Sequence, residues 1–185
     1  MNLDAAVGTH IAVSEKDELD IALKGTLAGD TDAMAELYRL TRVAVYSFAF
    51  SIVKSHHDAE DIAHDTYLSL FGSHKHYISH GKAMAYILTA TKNHALMKLR
   101  HRKRLTDFPE DYDRTPDDSD GVSAEEKLLI RQCLDKLSDS ERQIVVLHAV
   151  SGLKHKEIAS LMSLPLSTVL SKYSRAIKKL QAQMN

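Results

Sequence analysis

The chain has 185 residues, 44% of them hydrophobic and 26% charged, with a formal net charge of −1, the composition of an ordinary globular protein. No apolar run approaches the roughly 18 residues that cross a bilayer, and the acidic start MNLDAAVGTHIAVSEKDELD lacks the basic and apolar parts of a secretory signal. The single cysteine, Cys133, excludes an internal disulfide, fits a reducing cytoplasm and reads as buried filler in a helical pattern.

The near-neutral total hides an uneven distribution. Residues 1–20 sum to −4, residues 82–104 to +7 with no acid, residues 105–126 to −8 and residues 127–185 to +6. Two basic blocks separated by an acidic one form the expected footprint of phosphate binding at two places. Mixed, solvated faces would not segregate this way.

In chain order, helical spacing dominates and hairpin signals are nearly absent, so the fold class is all-α. Residues 17–28 and 31–53 are predicted helices with Gly29-Asp30 between them. Asp58 is the expected N-cap of AEDIAHDTYLSLF, which Gly72 closes. GSHKHYISHG is a loop. Residues 82–104 form one long helix, with Ala83, Ile87, Ala90 and Met97 on one side and Leu88, Ala95, Leu96 and Leu99 nearly opposite. A helix apolar on both sides belongs in the middle of a bundle, while its RHRKR end must face solvent or a polyanion. LTDFPEDYDRTPDDSDGVS then has acids, prolines and no periodicity, and reads as a flexible linker extended by self-repulsion. Folded back, it would cover a basic face. Helical patterns resume over 124–137, 139–151, 155–162 and 165–182. Ser138 and Glu141 make a capping box, and Gly152 suits a left-handed terminator. Two small helical domains are therefore expected: a tail at 1–17, a bundle at 18–104, a linker at 105–123 and a second domain at 124–185.

The last predicted helix is the most informative. Leu166, Val169, Leu170, Tyr173, Ala176, Ile177 and Leu180 fall within about 120° and form its expected apolar side. Ser167, Thr168, Ser171, Lys172, Ser174, Arg175, Lys178 and Lys179 occupy the other side, with no acid. A solvated face normally mixes Glu with Lys. Small hydroxyls let a backbone approach a groove, and the cations then reach phosphates or guanine edges. With the short helix before it and the corner Ser163-Leu164-Pro165, where Pro165 is the expected first helical residue, this is a helix-turn-helix pattern. Candidate DNA contacts are Ser167, Thr168, Ser171, Lys172, Arg175, Lys178 and Lys179, with Lys154 and Lys156 ahead of them.

The stretch LSDSERQIVVLHAVSGLKHKEIASLMSLPLSTVLSKYSRAIKKL resembles region 4 of bacterial sigma-70-family factors of the extracytoplasmic-function group. Leu137, Arg142, Gly152-Leu153, Glu157-Ile158-Ala159, Pro165, Thr168-Val169 and Arg175-Ala176 carry that likeness. HDAEDIAHDTYLSLF and YILTATKNHALMKLRHRKR resemble parts of region 2. The resemblance covers roughly residues 20–104 and 124–182. It implies a protein that binds core RNA polymerase and directs it to promoter DNA, without catalysis or cofactor of its own. Region 2 would dock on the clamp helices of the largest subunit and open the −10 element. Region 4 would sit on the flap of the second subunit and read the −35 element. Carried over residue by residue, the polymerase-facing candidates are Asp58, Asp61, Ile62, Asp65 and Leu68. The −10 candidates are His74, Lys75, His76, Tyr77, Lys92, Asn93, Arg100, Arg102, Lys103 and Arg104, with Tyr77 either stacking on a base or packing. The group also often has an anti-sigma partner.

Departures from the group are specific. There is no tryptophan; Phe71 and Tyr86 stand where it is usual, His64 replaces a Gln, Met97 an Asp, Ser163 and Ser167 frequent glycines, and Lys154 a capping Ser. Two rival readings stay open. A helix-turn-helix regulator binding duplex DNA as a dimer would explain residues 124–185 and leave the Asp61/Asp65 helix unused. A metal-dependent hydrolase would draw on the eleven histidines, of which His74, His76 and His80 share a loop, but no set of three or four convergent ligands is evident, so no metal is expected.

Overall fold

The computed structural model describes residues 15–74, 77–78, 81–105 and 136–184. Residues 1–14 of the expected tail, Lys75, His76, residues 106–123 of the acidic linker, Cys133 and residues 124–135 of the helix expected over 124–137 lie outside the described residues. Seven α-helices and no strand are found among those described: α1 Glu15–Ala28, α2 Thr31–Val53, α3 His56–Leu70, α4 Ala83–Leu105, α5 Asp139–Ala149, α6 His155–Met162 and α7 Leu166–Met184. The all-α expectation holds.

The α1–α2 corner follows from two residue types. Gly29 takes a positive φ of 88°, and Asp30 caps α2, its Oδ1 accepting from the Asp32 and Ala33 amides at 2.9 and 3.1 Å. Gly25 lets the two helices close: a Cβ placed there would collide with the Ala33 Cβ. Gly25→Ala is therefore expected to destabilise the fold by about 1–3 kcal/mol, the scale of overpacking, although alanine is the better helix former. Thermal unfolding of the variant checks this; a raised midpoint would refute the close approach.

The α2 helix is the centre of the molecule and packs against α1, α3, α4 and α5. Leu37, Val45 and Phe48 are its inward residues, and they join Leu23, Leu27, Leu70, Ile87 and Leu88 in one buried cluster that also takes in Ile144, Leu147, Ile158 and Val169 of the second module. The two modules thus touch. Lys54 pairs with Asp139 at 2.6 Å, and Lys92 Nζ donates to the Leu161 carbonyl at 2.7 Å, near the C-terminal end of α6.

Several expectations need correction. The N-cap of α3 is Ser55, not Asp58: the Ser55 hydroxyl accepts from the Asp58 amide at 3.3 Å, while the Asp58 carboxylate turns to Lys98 and Arg102 on α4. Met97 does not join the inner face of α4. It is 62% exposed, because Ala83, Ile87, Leu88, Thr91 and Ala95 already fill the space against α1, α2 and α3. Pro165 precedes α7 rather than opening it, and its carbonyl accepts the Val169 amide at 3.1 Å. The buried side of α7 is also turned from the expected one. Val169 and Ala176 are fully buried, whereas Leu166 and Leu170 are 43% and 46% exposed. The cause is α5, which packs along the Lys172 and Lys179 flank and draws that side inward.

Candidate nucleic-acid interface

The second module is built around its caps. Ser138 and Glu141 form the expected capping box on α5. Buried Glu141 also accepts from Lys179 Nζ at 2.7 Å, and that bond holds its carboxyl down at about 2, against the opposing effect of burial. Arg142, buried beside it, donates to the Leu137 carbonyl at 3.4 Å. At α6 the Lys154 amide donates to the Glu157 carboxylate at 2.8 Å, but the Lys154 side chain makes no capping hydrogen bond. The turn into α7 passes through Ser163 at φ 56°, with the Leu164 amide on the Ala159 carbonyl at 3.0 Å. His148, His155 and Tyr173 pack their rings together where α5, α6 and α7 meet, at centroid distances of 4.3, 5.0 and 4.7 Å. Burial first, and His148 second, lower the His155 pKa.

These contacts sort the predicted helix-turn-helix residues. Ser167, Ser171, Arg175 and Lys178 are exposed on α7, with Ser174 among them, and Thr168 is half-buried at the edge. Lys154 and Lys156 are exposed near the start of α6. Lys172 and Lys179 have intramolecular roles: Lys172 Nζ donates to Ser140 Oγ at 2.8 Å, and Lys179 neutralises Glu141. Both hold α7 to α5. The structure therefore moves them from the centre of the expected polar face to its flank.

A second acid-free stripe runs along α4. Thr89, Asn93, Met97, Arg100 and Arg104 are exposed at helical spacing, with Lys103 beside them. Of the −10 candidates, Asn93, Arg100, Lys103 and Arg104 share this region. Lys92 is directed to α6 by the Leu161 carbonyl, and Arg102 to Asp58 at 3.7 Å. Tyr77 packs: its hydroxyl donates to Asp20 Oδ1 at 2.7 Å and its ring meets Tyr86 at 5.2 Å. Burial, then the Asp20 hydrogen bond, push the Tyr77 pKa far up. Asp20, itself buried, also accepts the Gly81 amide at 3.1 Å, so it ties the middle of this loop and its C-terminal end to α1. His74 is exposed with its amide on the Leu27 carbonyl at 2.9 Å.

The α3 helix presents a third face. Asp65 and Leu68 are exposed, Leu68 by 57%, and Phe71 follows them. Asp61 is half-buried and its carboxyl is lowered chiefly by the 2.9 Å hydrogen bond from Lys98. Ile62 does not belong to this face: at 1% exposed it packs with Ala49, Val53, Ala59 and Ala95. Sequence reasoning missed Lys98, which bridges Asp58 and Asp61, and Asp20; the signal for Lys98 was its place one helical turn before Arg102. Among the described residues no group of three or more His, Cys, Asp or Glu could hold a metal, and no helix is long and apolar enough to cross a membrane.

In comparison with known proteins, each module matches its own family model. Residues 37–105 match the family model for Sigma-70 region 2, and residues 127–180 that for Sigma-70, region 4. The ECF RNA polymerase sigma factor SigE of Mycolicibacterium smegmatis is 31% identical over 163 residues, which is 83% of this chain and 63% of that protein. The chain thus spans less than two thirds of the length of that relative. SigK of Mycobacterium ulcerans is 24% identical over 173 residues, 89% of this chain and 92% of its own. Two solved structures share the fold. RpoE from Bartonella quintana, in complex with the anti-sigma factor NepR, has a TM-score of 0.63 at 24% identity, covering 81% of this chain and 95% of that one. CnrH, in complex with the cytosolic domain of CnrY, has a TM-score of 0.58 at 22% identity, covering 91% and 97%. With one family model over the segment of α2 to α4, a second over that of α5 to α7, and relatives of the extracytoplasmic-function group, the chain belongs to the sigma-70 family.

Proposed function

We propose that the chain binds core RNA polymerase and directs it to promoters, acting as an initiation factor without catalysis of its own. The carrying observation is the coexistence of two acid-free, cation-bearing helix faces, on α4 and α7, with an acidic and apolar face on α3. Carboxylates at the rim of an apolar contact suit a basic partner helix. On this reading Asp65, Leu68 and the outer edge of Asp61 meet the clamp helices of the largest subunit. Asn93, Arg100, Lys103 and Arg104 serve the −10 element, α7 serves the −35 element, and the second module rests on the flap of the second subunit. Lys92 joins the −10 contacts only when α6 leaves its side. An anti-sigma factor is a natural further partner, since RpoE of Bartonella quintana was solved with one.

Co-purification with core polymerase tests the docking part. The wild-type chain is expected to bind the core, and Leu68→Asp to bind it at least tenfold more weakly while remaining folded, because Leu68 is exposed in the free protein. Equal binding by both would remove α3 from the interface. Arg175→Ala is expected to weaken use of the upstream element by roughly 1–3 kcal/mol if the side chain reaches a base, read as the ratio of transcription from promoters with and without that element. Strong sequence-specific binding of duplex DNA by a dimer of the isolated chain would instead favour the stand-alone regulator.

A further inference from the structure

The α7 surface carries an apolar pair that stands partly open to solvent. Leu166 and Leu170 stand one helical turn apart and are each nearly half exposed, while Val169 and Ala176 alone reach the interior completely. At about 100° per residue, Leu170 lies roughly 110° away from the inward direction of Val169 and Ala176. It therefore stands beside Ser167 and Ser174, not beneath them. Ser167, Ser174 and Lys178 lie within about 80° of it, Ser171 and Arg175 farther round; all five are exposed, and α7 has no acidic residue. Among the described helices, those that pack on α7 are α5 and α6.

That charge pattern selects a polyanion as the occupant of this face, and short serines let the helix axis come close to it. A polyanion groove offers few apolar groups to a leucine. The C5-methyl of thymine, in the major groove, is the one that base pairs present. Leucine has no hydrogen-bonding atom, so it cannot read any other base edge.

We infer that Leu170 is a specificity-determining residue that packs on a thymine methyl group in the upstream promoter element, an inference that rests on the reading proposed above. The element then carries a thymine, on one strand or the other, at the base pair facing Leu170. Leu166, nearer the turn, lines the same apolar patch.

The test uses holoenzyme assembled from core polymerase and the full chain, on a promoter whose start site has been mapped. Each thymine of the upstream element, on either strand, is replaced singly by deoxyuridine, which removes the methyl and keeps the pairing. Wild-type holoenzyme is expected to lose about fourfold in initiation at one such position, the scale of one buried methyl group. Leu170→Ala should lower initiation on the unmodified promoter by a similar factor and be indifferent to deoxyuridine at that position. Leu170→Met, which keeps an apolar tip, should retain the sensitivity. Insensitivity of the wild type to every deoxyuridine, in a holoenzyme that initiates normally, would overturn the inference alone. So would an undiminished methyl effect in Leu170→Ala, or a defect of that variant confined to assembly with the core, which would make the patch a protein contact. Failure of the wild-type holoenzyme to initiate at all would overturn the underlying reading and the inference with it.

Discussion

Replacing Phe48 by alanine is expected to lower the unfolding free energy by about 3–5 kcal/mol, the usual cost of removing a buried phenylalanine. Phe48 is 1% exposed on α2, the helix that touches α1, α3, α4 and α5. The void left behind would sit inside the cluster that joins both modules, between helices that cannot all close on it at once. Since small domains have about 5–15 kcal/mol in total, this one change should leave the protein near its unfolding threshold. Urea denaturation followed by circular dichroism measures it. Val43→Ala, on the exposed side of the same helix, is the control and should stay within about 0.5 kcal/mol. A loss below about 1 kcal/mol for Phe48→Ala would mean that α2 is not the centre of the core.

Glu141→Ala should be nearly as damaging, by about 2–4 kcal/mol. It removes a capping interaction, typically about 1 kcal/mol, and a charge-assisted hydrogen bond of about 1.5–3 kcal/mol. Glu141→Gln separates the two, since an amide still accepts from Ser138 but no longer neutralises Lys179. The pH dependence has a definite sign. The carboxyl falls from 4.5 to about 2 on folding, so its contribution is fully present above pH 4.5 and is lost as pH falls through about 2. Wild type and Glu141→Gln should therefore differ most near neutral pH and converge in acid. His155 acts in the same direction at a higher pH. Its pKa is lowered on folding, chiefly by burial, so its neutral form supports the fold above about 6.5, the unperturbed value, and that support declines as pH falls below it. Denaturant midpoints from pH 7 to 3 check both. A gap between the two proteins that is constant over that range would contradict the ion pair.

Much of this was legible in the sequence, and the failures share one cause. Helical spacing located all the described helices, and Ser138 with Glu141, Gly29 with Asp30, and the Ser163 corner marked their ends because those residues act on backbone groups a few positions away. Contacts between helices were not legible in the same way. The apolar stripe of α7 placed Leu166 and Leu170 inside, but α5 holds the opposite flank through Lys172 and Lys179 and rolls the helix away from them. Asp58 looked like a cap because nothing in the local sequence reveals Lys98 and Arg102 across on α4. Ile62 looked like an interface residue because it shares a motif with Asp61 and Asp65, although its own direction on α3 points to Ala49 and Ala95. Long-range partners decide what a side chain is free to do, and one-dimensional periodicity does not contain them.

Run-off transcription with purified core polymerase on promoter-containing fragments, with start sites mapped, probes the account most directly. Core plus this chain is expected to initiate at discrete starts that core alone does not use, with a dependence on upstream sequence that Arg175→Ala weakens. Core that initiates identically with and without the chain would contradict the account, however tightly α7 holds duplex DNA.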